Sequence, residues 1–140
     1  MKFNRRASAN WKGGGKDGKG TLTTQSKVLD KAKYSANSRF EDEKGTNPEE
    51  LVGAAHAGCF SMKLAFVINE MGHDPQNIDT DAKVTFEDGE VKAIHLDLKA
   101  KVEGMNDDEF QKAAKEAKET CPISMLLKKT AEITMDAKLV

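Results

Sequence analysis

The stretch from Thr46 to Gly72 limits what this chain can fold into more than any other. It reads as one helix with marked ends. Asn47 is a good N-cap, and Pro48 follows at the first helical position, where its missing N–H costs nothing. Glu50, three residues after the cap, completes a capping box. Gly72 supplies the left-handed residue after the last turn, and Pro75 prevents the helix from resuming. Between Leu51 and Ile68 the only full charge is Lys63. A helix apolar around nearly its whole circumference is expected in a core, covered on most sides. A membrane span competes for so long an apolar run, but spanning takes about 20 apolar residues with clean flanks. This run carries Glu49, Glu50, His56, Ser61 and Lys63, and several of its apolar residues are only Ala or Gly. The expectation is a buried core helix with Cys59 in its dry middle.

A chain of 140 residues fits one domain, 1–140, and can bury a core without staples. With 38% hydrophobic and 32% charged residues it is globular rather than disordered. The net charge of -1 offers no basic footprint for nucleic acid. Met1 to Arg6 is basic but lacks the apolar core of a signal peptide, so the expected location is the cytoplasm. There a lasting structural disulfide is unusual, and the two cysteines are left as inert core, metal ligand or redox group. They lie far apart with no CxxC or HxxxH spacing, which argues against zinc.

Phe3 to Trp11 tends to alternate, with Ala7, Ala9 and Trp11 on one side of a strand. Gly13 to Lys19 almost spells the phosphate-binding pattern GxxxxGK, but Gly20 stands where the magnesium-binding Ser or Thr belongs. No hydrophobic parallel strand precedes it and no helix pattern succeeds it, so Asp17-Gly18 is read as a hairpin tip. Thr21 to Leu29 returns as a second strand, and Tyr34 to Phe40 is a short polar connection with a third strand as its alternative. Beyond Pro75, Ala82, Val84 and Phe86 alternate, Asp88-Gly89 turns, and Ile94, Leu96, Leu98, Ala100 and Val102 alternate again. That pattern predicts an antiparallel hairpin with one wet face, on which His95 lies beside Asp97 and Lys99. Asn106 or Asp107 caps a helix through Lys118 with Phe110, Ala113, Ala114 and Ala117 on one stripe. Pro122 opens a short helix, which puts Cys121 at its cap, and Ala131 to Leu139 closes the chain as a strand. Strands at both ends with helices between them give an α+β class.

Cys59 is too far from the start of its helix for the dipole to ionise it, and a thiol in apolar surroundings is inert unless a cation stands nearby. The candidate cation is Arg39, on the segment leading into the helix. Glu49 in the first helical turn could pair with Arg39 and fix its direction. His56 precedes Cys59 by three residues and shares its helix face, where a packed histidine is the plain account. Cys121 at a helix start is suggestive, since that position lowers a thiol pKa. Spacing alone does not bring the two sulfurs together, so buried bystander and reactive dithiol both stay open at this point.

Thr46-Asn47-Pro48-Glu49-Glu50-Leu51, then Ala54-Ala55-His56-Ala57-Gly58-Cys59-Phe60, then Cys121-Pro122-Ile123-Ser124 resemble the OsmC/Ohr family of organic hydroperoxide reductases over essentially the whole chain. Arg39-Phe40-Glu41 and the Ala-His-Ala around His56 resemble its osmotically inducible OsmC branch, with no departure at positions that carry chemistry. The resemblance implies an OsmC-like α+β fold, with antiparallel sheets around a long central helix, and an intertwined homodimer with its active sites at the interface. It implies a thiol peroxidase in stress defence with Cys59 peroxidatic, Cys121 resolving, and Arg39 and Glu49 as the pair that activates Cys59. The substrate would be an organic hydroperoxide and the reductant an external dithiol, on a lipoylated protein in this family, with no metal, flavin or haem. The alternatives are a non-catalytic small-molecule-binding stress protein on the same fold, and an acyl-transfer or hydrolytic enzyme using Cys59 with His56. The latter lacks any visible oxyanion hole.

Overall fold

The glycine-rich run after Trp11 closes a hairpin. Strands β1 (Ala7–Lys12) and β2 (Lys19–Thr24) pair antiparallel with Lys12 opposite Lys19, in a computed structural model that describes all 140 residues. Lys19 opens a strand, so the near match to a phosphate-binding loop has no helix to serve. The second strand stops at Thr24 rather than Leu29, because Lys27 and Lys31 adopt left-handed backbone with φ of 65° and 53° and turn the chain. The third strand does form, as β3 (Ala32–Ser35) on the other edge of β2, and then gives way to a short helix α1 (Ala36–Phe40). Ser35 and Ser38 cap α1 reciprocally, which is why a helix starts where the sequence reads as a polar connection.

Two compact units make up the chain, Met1–Leu51 and Val52–Val140. The long helix α2 (Pro48–Glu70) starts in the first and runs through the second. Its ends lie close to where the sequence marks them. Asn47 Oδ1 accepts the Glu50 N–H at 2.8 Å, but the Glu50 carboxylate accepts from Thr46 Oγ1 at 2.6 Å instead, so only half the capping box forms. At the far end Gly72 has φ of 88°, and the His73 N–H reaches back to Ile68 O at 3.2 Å.

In the second unit, β4 (Pro75–Glu87) and β5 (Glu90–Val102) form the expected hairpin about Asp88 and Gly89, both at positive φ as a two-residue turn requires. Helices α3 (Asp107–Thr120) and α4 (Pro122–Leu127) come next, then β6 (Glu132–Leu139). The sheet order is β4-β5-β6, and β6 runs parallel to β5. The expected antiparallel pairing holds in β1–β3 and between β4 and β5 and is corrected at β6 alone: α3 and α4 together form a crossover connection, which lets the last strand re-enter in the same direction. One face of this sheet is dry. Ile94, Leu96 and Leu98 of β5 pack with Phe60, Leu64 and Ile68 of α2 and with Phe110 and the alanines of α3. Helix α2 comes close to β4 at Gly53, where a Cβ would lie 3.3 Å from Val84 Cγ2.

Helix α2 is not covered on most sides. It buries Gly53, His56, Phe60, Leu64, Val67 and Ile68, while Ala55, Gly58, Met62 and Phe66 form an exposed stripe, with Met62 65% and Phe66 60% accessible. Its length and composition alone would allow a membrane crossing. The buried stripe, however, is an ordinary core face. A three-stranded sheet with two further helices offers surface for one side of α2 only.

Asn106 caps α3, accepting the Glu109 N–H at 2.9 Å while Glu109 accepts the Asn106 N–H at 3.2 Å in return. Asn106→Ala is expected to cost about 1 kcal/mol, read as a lower urea midpoint with unchanged slope.

Candidate active site

Four residues singled out in the sequence fall into two contacts. Helix α1 ends with Arg39 in its last turn, and the loop after it is tied by Ser38 Oγ donating to Thr46 O at 2.9 Å and by Thr46 N–H donating to Lys33 O at 2.9 Å. The chain therefore returns to the start of α2 with Glu49 facing Arg39. Arg39 Nε lies 3.1 Å from both Glu49 oxygens, and its Nη2 is 2.6 Å from Oε1. The hydrogen bonds and charge of Glu49 raise the Arg39 pKa, and the same bonds pull Glu49 below the usual carboxylate range. Both groups are ionised, and the guanidinium is held in a fixed direction.

The second contact joins the sulfurs. Cys59, half-buried in the middle of α2, accepts the Cys121 thiol at an Sγ–Sγ distance of 3.1 Å, and both cysteines are free. Cys121 is fully buried. It ends α3 and precedes Pro122, the first residue of α4, which has no N–H to lose at that position. Burial pushes the Cys59 thiol up, the Ile123 N–H draws it partly back, and the neighbouring Cys121 sulfur pushes it up again. These surroundings together favour the thiol over the thiolate.

His56 is also fully buried, and its Nε2 is 2.7 Å from Ser124 Oγ, while its Nδ1 has no partner. Burial lowers its pKa and keeps the ring neutral. Sequence reasoning does not single out Ser124 as a functional residue. The signal that could have found it is symmetry of spacing: His56 stands three residues before one cysteine, and Ser124 three residues after the other. His95 is on the wet face as expected, paired there with Thr134 at 2.5 Å and Asp136 at 2.8 Å on the adjacent strand. A broad concavity of about 790 Å³ lies on the polar face of β1–β3, lined by Lys12, Lys19, Lys31, Lys33 and Lys44, and contains neither cysteine. No cluster of three or more His, Cys, Asp or Glu residues is arranged to hold a metal.

Known proteins are similar to this chain in both sequence and fold. A sequence model of the family described as OsmC-like protein matches residues 41–136. Peroxiredoxin OsmC of Escherichia coli K12 is 44% identical over 143 residues, covering 99% of both chains. The crystal structure of the organic hydroperoxide resistance protein OhrB of Bacillus subtilis superposes with a TM-score of 0.70 at 25% identity, over 95% of this chain and 98% of that one. An OsmC-like protein from Mycoplasma pneumoniae reaches a TM-score of 0.79 at 12% identity over 100% of this chain and 99% of its own.

Proposed function

The chain belongs to the OsmC-like protein family, and from that premise we propose that it is a thiol peroxidase that reduces organic hydroperoxides to alcohols in oxidative and osmotic stress defence. The observation that carries the reading is the pair of free thiols 3.1 Å apart, one half-buried and one enclosed. Relatives named peroxiredoxin and organic hydroperoxide resistance protein support the substrate class.

The chemistry then runs on sulfur. The Cys59 thiolate attacks the distal oxygen of the hydroperoxide, the O–O bond breaks, and the alkoxide leaves and takes a proton to become the alcohol. Cys59 is left as a sulfenic acid. The Cys121 sulfur attacks it, hydroxide leaves with the Cys121 proton as water, and a Cys59–Cys121 disulfide forms. An external dithiol, carried by a lipoylated protein, restores both thiols and is itself oxidised to a disulfide. The cycle uses no resident metal, flavin or haem. Arg39 stabilises the Cys59 thiolate, and Glu49 holds Arg39 in the orientation this needs. Free thiols and a dithiol donor suit a reducing compartment, and we place the protein in the cytoplasm. The exposed stripe Ala55, Gly58, Met62 and Phe66 on α2 supports a homodimer in which a second copy covers it.

Reduced protein treated with one equivalent of cumene hydroperoxide and weighed intact tests this reading. The expected product has lost two hydrogens, and peptide mapping joins Cys59 to Cys121. Cys121→Ser is expected to gain one oxygen on Cys59 instead. A chain that merely binds small molecules shows neither change, and that result removes the peroxidase.

A further inference from the structure

The start of α4 meets α2 through two polar contacts within one turn: the Cys121 thiol on the Cys59 sulfur, and Ser124 Oγ on His56 Nε2. They differ in what happens to them during turnover. The first ends on the Cys59 sulfur and changes when it gains an oxygen. The second does not involve sulfur. We propose that the buried His56–Ser124 hydrogen bond is a positioning latch that keeps Cys121 on the Cys59 sulfenic acid and so directs that intermediate to disulfide rather than to sulfinic acid. The inference deepens the peroxidase reading and rests on it.

The need for such a latch comes from the geometry. A disulfide is about 2.05 Å long, so the sulfurs, 3.1 Å apart when reduced, must close by about 1 Å after one of them has become bulkier. Helix α4 has six residues, too few to hold its own direction without tertiary contacts. Its cap residue Cys121 makes no side-chain capping bond. Ile123 and Leu127 pack against the core, but apolar contact is non-directional and lets a short helix slide. Met125 and Leu126 are exposed. The Cys121 N–H ties the start of α4 to Ala117 O of α3 at 2.8 Å, and toward α2 the directional restraint left is the 2.7 Å bond between two side chains, both at least 99% buried, each three residues from its cysteine. The stakes are set by a competition: sulfenic acid not met by Cys121 is met by a second hydroperoxide, which donates an oxygen and leaves as alcohol, giving sulfinic acid that external dithiol does not reduce.

The unpartnered Nδ1 of His56 argues in the same direction. A buried imidazole with one unmet nitrogen is a poor way to fill a core, and an apolar side chain of similar volume would do so without the penalty. What the histidine adds is a fixed distance to Ser124.

Ser124→Ala tests the latch, together with a double variant carrying His56→Leu and Ser124→Ala. The single change strands the imidazole and is expected to lower stability. The double change removes both polar partners and is expected to recover most of that loss. Under excess cumene hydroperoxide, mass spectrometry reads the ratio of Cys59 sulfinic acid (gain of two oxygens) to Cys59–Cys121 disulfide (loss of two hydrogens). Both variants are expected to raise that ratio about tenfold, the size of effect one well-placed hydrogen bond has on a barrier. The first oxidation of Cys59 should stay within about twofold of wild type, because the latch acts after it. Ser124→Thr, which keeps the hydroxyl, should restore the wild-type ratio. A wild-type ratio in Ser124→Ala, or one regained by the double variant along with its stability, overturns the latch and leaves the peroxidase standing. A wild-type chain that never forms the disulfide at one equivalent removes the peroxidase and the latch together.

Discussion

Arg39→Ala is expected to slow the oxidation of Cys59 by cumene hydroperoxide about 100-fold at neutral pH, while the protein stays folded. The magnitude comes from the thiol. Burial and the neighbouring Cys121 push Cys59 up, and the Ile123 N–H offsets only part of this. A thiol pushed above its ordinary range is almost wholly protonated near pH 7, and only the thiolate attacks peroxide. In the proposed mechanism Arg39 supplies that ionisation; an ordinary thiol is only a few per cent ionised at pH 7 and a raised one less, so losing the cation forfeits about two orders of magnitude. The same reasoning sets the sign of the pH dependence. The Arg39→Ala rate should climb as pH rises through the thiol's elevated titration range, whereas the wild-type rate should already be near its plateau. Stability should change little, because the Arg39–Glu49 pair has side chains 36% and 17% exposed and such pairs contribute about 0–1 kcal/mol. Arg39→Lys should recover only part of the rate, since it keeps charge but loses the two-pronged hold on Glu49. Stopped-flow oxidation across a pH series checks the rate and its pH dependence in both variants, and urea unfolding checks the stability. An alanine variant as fast as wild type at pH 7 takes Arg39 out of the mechanism.

The parts of this molecule legible in the sequence are those written in local chemistry. Asn47-Pro48 and Gly72 mark the ends of α2 because capping depends on a few neighbouring backbone groups. Asp88-Gly89 marks the β4–β5 turn because few other residues accept two positive φ values in succession. Alternation along Ile94 to Val102 picks out the dry face of β5 residue by residue. What the sequence hides depends on distant partners. The parallel entry of β6 beside β5 is decided by where α3 and α4 leave the chain, and strand alternation reads the same in either direction. The early end of β2 hides in Lys27 and Lys31, two lysines that adopt a backbone conformation their side chains do not announce.

The site divides along the same line. The family motifs name Cys59, Cys121, Arg39 and Glu49 as residues, but no spacing rule could place sulfurs 62 positions apart within 3.1 Å of each other. Ser124 shows the limit from the other side. A serine in the first turn of a short helix is ordinary, and only the buried imidazole across from it makes it matter.

Phe66→Glu is expected to turn a dimer into a monomer at micromolar concentration. Burying a phenylalanine side chain contributes about 1.5–3 kcal/mol, and a two-fold interface holds each substituted position twice. Losing both weakens association by about two to four orders of magnitude, before the cost of bringing two carboxylates into an apolar seam. The stripe suits a helix of a second copy. Ala55 and Gly58 are small enough for close approach, a Cβ at Gly58 would meet nothing within 4 Å, and Met62 and Phe66 supply the bulk. Phe66 is 60% exposed within the chain, so the substitution empties no core, and the far-UV circular dichroism should be unchanged. Sedimentation equilibrium of the two proteins distinguishes the outcomes. A variant that sediments as the wild-type dimer places the interface elsewhere, and a wild-type chain that is monomeric at every concentration leaves α2 half bare for another reason.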